Sequence, residues 1–360
     1  MKLLFQLISF LLPLCTIGQS TDTNALFSGF DDRPRGNQGV RIAFYNCENL
    51  FDIEHDSLKD DKSFTADGLY HWDMRKYWEK QKNISKVISA IGGWEAVEMI
   101  GLVEIENKHV LLNLINNTNI KNSNYRIVHH ESPDRRGIDI AFLFQPEKVE
   151  LISERAINVS FPFDTATRTR DILFVKVLVL YSDTLNIFIN HWPSRWGGEF
   201  QTEEKRLFVA KKLKHLSDSI ISINPCSKIL IMGDLNDTPS NKSLQKGLEV
   251  SSTDNYLKNG LIDLMIPFKN KGEGTHYFVG ETGGKWSVLD HAIVSSSLIG
   301  SCEGLHLKNN EAHIFKPSFL LEKNDNGVMI PFRTFVGMKY NGGFSDHLPI
   351  YLDLKLKITE

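Results

Sequence analysis

Short apolar runs that stop on polar residues constrain this chain more than any other feature. VRIAFYN (40–46), MIGLVEI (99–105), IDIAFLF (138–144), ILFVKVLVL (172–180), TLNIFIN (184–190) and the run at 228–233 are each a strand's length. They are rich in Val, Ile, Leu and Phe, the pattern of buried strands. YRIVHH (125–130) pairs with IDIAFLF across a short loop as one expected hairpin, and ILFVKVLVL with TLNIFIN as a second. Strands at 287–294 and 349–356 close the chain. Tyr77, Ile84, Val87, Ile88 and Ile91 recur at helical spacing before Gly92–Gly93, which predicts a helix over 72–91. Val209, Leu213, Leu216 and Ile220 predict another over 203–222, with Thr202, Glu203 and Glu204 as its N-terminal cap. Residues 300–343, with their Gly, Asn and Lys, read as long loops with at most a short hairpin. Strands that come both as hairpins and in alternation with helices predict sheets covered by helices in one domain.

The ends of these runs repeat one chemistry. Asn46 ends the first, and Glu104 lies near the end of the second, followed by Glu106 and Asn107. Asn190–His191 and Asp234-Leu235-Asn236 end two more; Asp290–His291 lie within the strand at 287–294, and Asp346–His347 precede the last. A single Asp or Asn at a strand end is ordinarily a turn residue. Six endings of one kind converge on one mouth of a sheet, where α/β architectures bind ligands. Carboxylate and amide oxygens without thiolates suit a hard cation such as magnesium, manganese or calcium. Histidines beside them supply acid, base or phosphate contacts, the set needed for metal-assisted attack of water on a phosphoester. No HExxH or other histidine cluster speaks for zinc.

FYNCENLF, GLVEIEN, RRGIDIAFLF, NHWPSR, MGDLNDTP, SVLDHAIVS and SDHLPIYL, in this order, resemble the endonuclease/exonuclease/phosphatase family over about residues 40–357. The resemblance implies a DNase I-like, four-layer α/β/β/α sandwich with two mixed sheets face to face. It implies Asn46, Glu104 and Asp346 at the metal, magnesium first, with manganese or calcium as alternatives. It makes Asp234 and Asn236 the pair that orients water on the phosphate, His347 the phosphate-contacting histidine and Asp290 the carboxylate behind it. His191 stands where the DNase I and sphingomyelinase branches carry a histidine, with Glu131 as its expected support and Arg170 as an expected phosphate contact. A surface acid and a solvated strand-end charge are the bland readings of those last two.

The implied function is a metal-dependent endonuclease on DNA or RNA. Alternatives are the same chemistry on a sphingomyelin-type lipid or small phosphodiester, and a catalytically dead binding module. Trp192, Arg195 and Trp196 in HWPSRWGGEF could grip phosphate and stack on bases, or could merely pack the loop. Arg135, Arg136, Arg168 and Arg170 make a local basic patch on a chain whose formal net charge is -3. Nucleic acid would have to be held by such a patch, because the whole chain does not attract phosphate.

Residues 1–18 read as a secretory signal peptide: Lys2, an apolar run from Leu3 to Leu14, then Thr16 and Gly18 before a cut near Gln19. Its removal leaves a chain of charge -4, since Lys2 is its only charge. The apolar run is short for a membrane span, and bulky Leu14 before Cys15 speaks against a lipid anchor. The expectation is a secreted or periplasmic monomer: a flexible leader over 19–38 and a single domain over 39–358. Cys47, Cys226 and Cys302 are too few for a disulfide framework and read as buried thiols, with one bridge at most.

Overall fold

A computed structural model of the chain describes residues 30–280, 283–300 and 302–357. The expected signal peptide and the first part of the leader lie outside the described residues. The strands are β1 (Gly39–Leu50), β2 (Met99–Ile105), β3 (Arg126–His130), β4 (Asp139–Phe144), β5 (Val149–Ile157), β6 (Ile172–Val179), β7 (Asp183–His191), β8 (Lys228–Asp234), β9 (Leu261–Asp263), β10 (His276–Gly280), β11 (Gly283–Ser287), β12 (Asp290–Ser295), β13 (Gly304–Leu307), β14 (His313–Ile314), β15 (Leu321–Lys323), β16 (Met329–Pro331), β17 (Phe335–Val336), β18 (Lys339–Tyr340) and β19 (Ile350–Lys357). The α-helices are α1 (Met74–Gly92), α2 (Lys108–Asn117), α3 (Glu199–Ile223) and α4 (Ile266–Asn270).

One sheet runs β13-β19-β1-β2-β4-β3, with β14 added on β19; the other runs β5-β6-β7-β8-β12-β9. Alternation along each strand divides the apolar side chains between two layers. Val40, Ile42 and Phe44 of β1 meet Leu185, Ile187 and Ile189 of β7, with Leu230 and Met232 of β8, in the core between the sheets. Phe188, Ile229 and Ile231 point the other way and meet Val209, Ala210 and Leu213 of α3. α1 lies against β1 and α2. These are the four expected layers, and burial on both faces explains why the central strands are almost wholly apolar. Gly101 lets the sheets close: a Cβ there would stand 3.0 Å from the Met232 sulfur and 3.2 Å from Ile189.

Each sheet has a parallel pair at its centre, β1 with β2 and β7 with β8. β12 runs antiparallel to β8, and β19 antiparallel to β1. The ends of β1, β2, β7 and β8 and the starts of β12 and β19 therefore lie at one rim.

Several sequence expectations change. The stretch read as a flexible leader is anchored at its end: Arg35 donates to Glu98 (3.0 Å) and to the carbonyls of Gly92 (2.9 Å) and Ala96 (2.7 Å). α3 starts at Glu199 with Gly198 as cap, and the Thr202 hydroxyl donates back to the Gly198 carbonyl (2.9 Å). β5 gives no strong apolar signature, being a mostly exposed edge strand, whereas the ten-residue α2 carries one in Val110, Leu111, Leu114 and Ile115 that went unread. Residues 300–343 hold β13 and β14 and the hairpins β15–β16 and β17–β18. Cys226 and Cys302, 76 residues apart, form a disulfide; of the three, only Cys47 is a buried thiol.

Candidate active site

Register puts His191 beside Asp234 and Asp234 beside Asp290 on three consecutive strands of one sheet. The other sheet brings Asn46 from β1, Glu104 from β2, and Asp346 and His347 from the turn before β19. The Ser345 hydroxyl ties that turn to the Asn46 carbonyl (2.7 Å). Asp234 is the hub. Its Oδ2 accepts from Asn46 Nδ2 (3.1 Å) and lies 3.7 Å from Nε2 of His191 and 3.7 Å from Nε2 of His347. Its Oδ1 accepts from the Asn236 amide (2.9 Å).

The backbone is strained here and not at random. Glu48 (φ 48°), Asn49 (φ 58°), Glu104 (φ 61°) and Asn236 (φ 53°) all adopt left-handed conformations, which L side chains adopt at a cost. Glu104 sits in a bulge, where the β2–β4 register slips between Val103 and Ile105. That bulge aims its carboxylate at the rim, where Oε2 accepts from the Asn49 amide (2.9 Å) and Oε1 stands 3.4 Å from Asn46 Nδ2. Gly233 is required because a Cβ would stand 2.2 Å from the Asn190 carbonyl oxygen.

The two histidines are driven to opposite charge states. Burial opposes charge on His347, but Asp290, 2.7 Å from its Nδ1, together with Asp234 holds its pKa well above the usual imidazole value. Burial and the charges of Arg170, Arg136 and His347 push His191 well below it. Asp234 is pushed up to about 7, chiefly by burial, with Asp290 adding to the rise and His347 opposing it. Glu48 is likewise raised to about 7 by burial and by Asp346. Its carboxylate accepts from the Thr334 amide (2.6 Å) and meets Arg333, whose other nitrogen is 3.1 Å from Asp346. Against burial, Asp346, Glu48 and Glu104 hold the Arg333 guanidinium above its ordinary value.

Two groups at this rim have ligand atoms within 4.8 Å of one another, close enough to hold an ion: His276 with Asp346 and His347, and Asp234 with Asp290 and His347. Glu104 and Asp346 carry carboxylate oxygens and Asn46 an amide oxygen, donor types suited to a hard ion, and a divalent charge would favour the charged forms of Glu48 and Asp234, which burial first and neighbouring carboxylates second disfavour.

Asn46, Glu104, His191, Asp234, Asn236, Asp290, Asp346 and His347 are thus brought to one rim. Leu235 points into the core, and at Asn236 (φ 53°) the chain turns out of the extended conformation of β8. The Asn236 side-chain amide donates to the Trp192 carbonyl (3.1 Å). Arg170 is not a free phosphate ligand. It is buried, paired with Asp134 (2.9 Å), and donates to the carbonyls of His191 (3.1 Å) and Trp192. It holds the loop that carries His191. Glu131 does not support His191, whose Nδ1 has no partner among the described residues. Its side chain is 58% exposed, near Lys59, and clusters with His129 and Asp139. Trp192 packs inside, donating to Asn190 Oδ1 (3.1 Å), and Arg195 braces Asn236 and Asp237, whereas Trp196 stays exposed.

Sequence reasoning missed His276, Glu48 and Arg333. The His276 ring lies 4.9 Å from the His347 ring, and its Nε2 is 3.9 Å from Asp346. Burial, then the charge on His347, pushes it down to about 4. Glu48, two residues after Asn46, was the one legible signal: an acid inside an otherwise buried strand.

A sequence profile of the Endonuclease/Exonuclease/phosphatase family matches residues 41–356. The chain belongs to this family. Several solved structures are similar to it in fold. Humanized D. rerio TDP2 is similar with a TM-score of 0.54 at 14% identity, over 88% of this chain and 99% of that one. The human Nocturnin catalytic domain gives 0.54 at 14%, over 89% and 95%. A Bacteroides thetaiotaomicron mannosyl-6-phosphatase gives 0.52 at 15%, over 88% and 99%. No curated protein sequence matches the chain. As a member of this family the chain carries a phosphoester-hydrolase fold, and the site described above occupies its rim.

Proposed function

We propose that the chain is an exported, divalent-metal-dependent phosphodiesterase that cleaves DNA or RNA. The observation that supports it most is the Asp234 hub: one buried carboxylate between a cationic and a neutral histidine, beside an acid-rich rim. Glu104, Asp346 and Asn46 would hold magnesium or manganese, which when bound offsets phosphate charge and polarises the ester. Asp234, raised to about 7, accepts the proton of water as its oxygen attacks phosphorus. The His347 imidazolium, held by Asp290, donates to a phosphate oxygen as charge builds there. Neutral His191 hydrogen-bonds the phosphate from the other side of Asp234. The P–O ester bond breaks, the leaving oxygen takes a proton from solvent water, and Asp234 releases to solvent the proton it accepted. Export is supported by the signal-peptide pattern and by the Cys226–Cys302 disulfide, a bond that persists in oxidising compartments.

The test is a metal-supplemented screen over plasmid, single strands, RNA, sphingomyelin and sugar phosphates, with a His347→Ala control. Magnesium- or manganese-dependent nicking that EDTA abolishes is expected. Intact nucleic acids at every metal concentration overturn the nuclease reading. Release of phosphate from a sugar phosphate instead would move the chain toward the activity named for its mannosyl-6-phosphatase neighbour.

A further inference from the structure

A groove of about 950 Å³ opens beside the His191 loop and plays no part in the chemistry above. Arg170 joins the two, since it lines the groove and holds the His191 carbonyl. Five cationic side chains line the groove: Arg135, Arg136, Arg168, Arg170 and Lys205, against the carboxylates of Asp60 and Asp134. Asp134 is taken up by Arg170 (2.9 Å) and approached by Arg136 (3.6 Å), and Lys205 is paired with Asp164 (2.7 Å). Arg135 and Arg168 are exposed, and among the described residues neither is paired with a carboxylate; Arg168 donates only to the Thr165 carbonyl (3.0 Å). At the lip stands Trp196, 90% exposed on the loop that follows His191.

We infer that this groove is a second subsite, which holds a phosphate and an adjoining planar base of a single strand running away from the scissile phosphate. Resting on the nuclease reading, it narrows the substrate to a polyanion longer than one phosphoester. The unpaired arginines decide the class. A neutral sugar or acyl tail would leave Arg135 and Arg168 nothing to neutralise, whereas a phosphodiester backbone supplies one charge per residue. An exposed indole beside them is a platform on which a base stacks, whatever its sequence.

The test uses the exposed variants Arg135→Ala/Arg168→Ala and Trp196→Ala in the full chain. First, a dye-labelled single-stranded decanucleotide is titrated by anisotropy in EDTA over a range of salt. The expected result is at least tenfold weaker binding for each variant. The double arginine variant should also lose about 0.7 from the slope of log K against log salt, the ~0.7 of the one phosphate the groove holds. Second, hydrolysis of bis(p-nitrophenyl) phosphate, too small to reach the groove, should stay within about twofold of wild type. Unchanged affinity and slope overturn the subsite. So does a parallel loss on the small substrate, which would make these residues part of the site's architecture. If the wild type with magnesium or manganese hydrolyses neither the decanucleotide nor the small ester, the nuclease reading falls, and the binding arm still decides the groove.

Discussion

Nδ1 of His347 lies 2.7 Å from Oδ2 of Asp290, a bond between a strand of one sheet and the turn that leads into a strand of the other. Asp290 opens β12, while His347 precedes β19 across the core. Their hydrogen bond fixes the imidazole's orientation and leaves Nε2 facing Asp234, 3.7 Å away. The histidine is therefore charged and aimed only when both sheets are packed.

His347→Ala should be folded and lose ~10²–10⁴-fold in turnover, the usual worth of a positioned acid or base. Asp290→Asn keeps the shape but removes the largest charge that holds His347 protonated. Its turnover should begin to fall at lower pH than wild type on the alkaline side. A pH–rate profile of both proteins on one substrate checks this; superimposable alkaline limbs would remove Asp290 from the role.

Metal dependence should be visible without any substrate. Magnesium or manganese should raise the melting temperature of the wild type, since a ligand at 100 times its Kd stabilises by ~2.7 kcal/mol. Glu104→Gln should need much more metal for the same shift and regain part of its activity at high metal. A rate loss in Glu104→Gln that no metal concentration changes would contradict a ligand role.

His291, next to Asp290 on β12, gives a pH dependence of stability. It is buried, 2.9 Å from Asp263 and 2.9 Å from the Asp237 carbonyl. Burial works against its charge, yet Asp263 and the Asp237 carbonyl raise its pKa above the ordinary 6.5. In the window between 6.5 and that higher value, the folded chain binds more protons than the unfolded one. This pair's contribution is therefore full below 6.5 and is lost as pH rises through the folded value. Urea unfolding of wild type and His291→Gln across pH 6–10 should show a decline with pH that is shallower in the variant.

Opening the Cys226–Cys302 bridge should destabilise the fold by ~2–4 kcal/mol, because it closes a long loop in the unfolded chain. The bond touches none of the rim residues, so turnover at low temperature should stay near wild type in Cys226→Ser/Cys302→Ser. Equal melting temperatures with and without reductant would show that the bridge adds nothing.

What the chain's sequence determined by itself was local. Apolar runs of strand length located β1, β2, β4, β6, β7 and β8, because burial on one or both faces is written residue by residue. The polar residues at their ends marked Asn46, Glu104, His191, Asp234, Asp290 and Asp346–His347, because parallel neighbours finish at one rim. Only the tertiary structure decided who faces whom. Arg170 read as a phosphate ligand but is consumed by Asp134, 36 residues away in sequence. Glu131 read as the support of His191 and lies exposed beside Lys59. Arg333 joins Glu48 to Asp346 across 285 and 13 residues, and Cys226 finds Cys302 across 76. A periodic pattern records whether a side chain is buried. It does not record which distant charge shares that burial, since that depends on how two sheets and their loops pack to within a few ångströms.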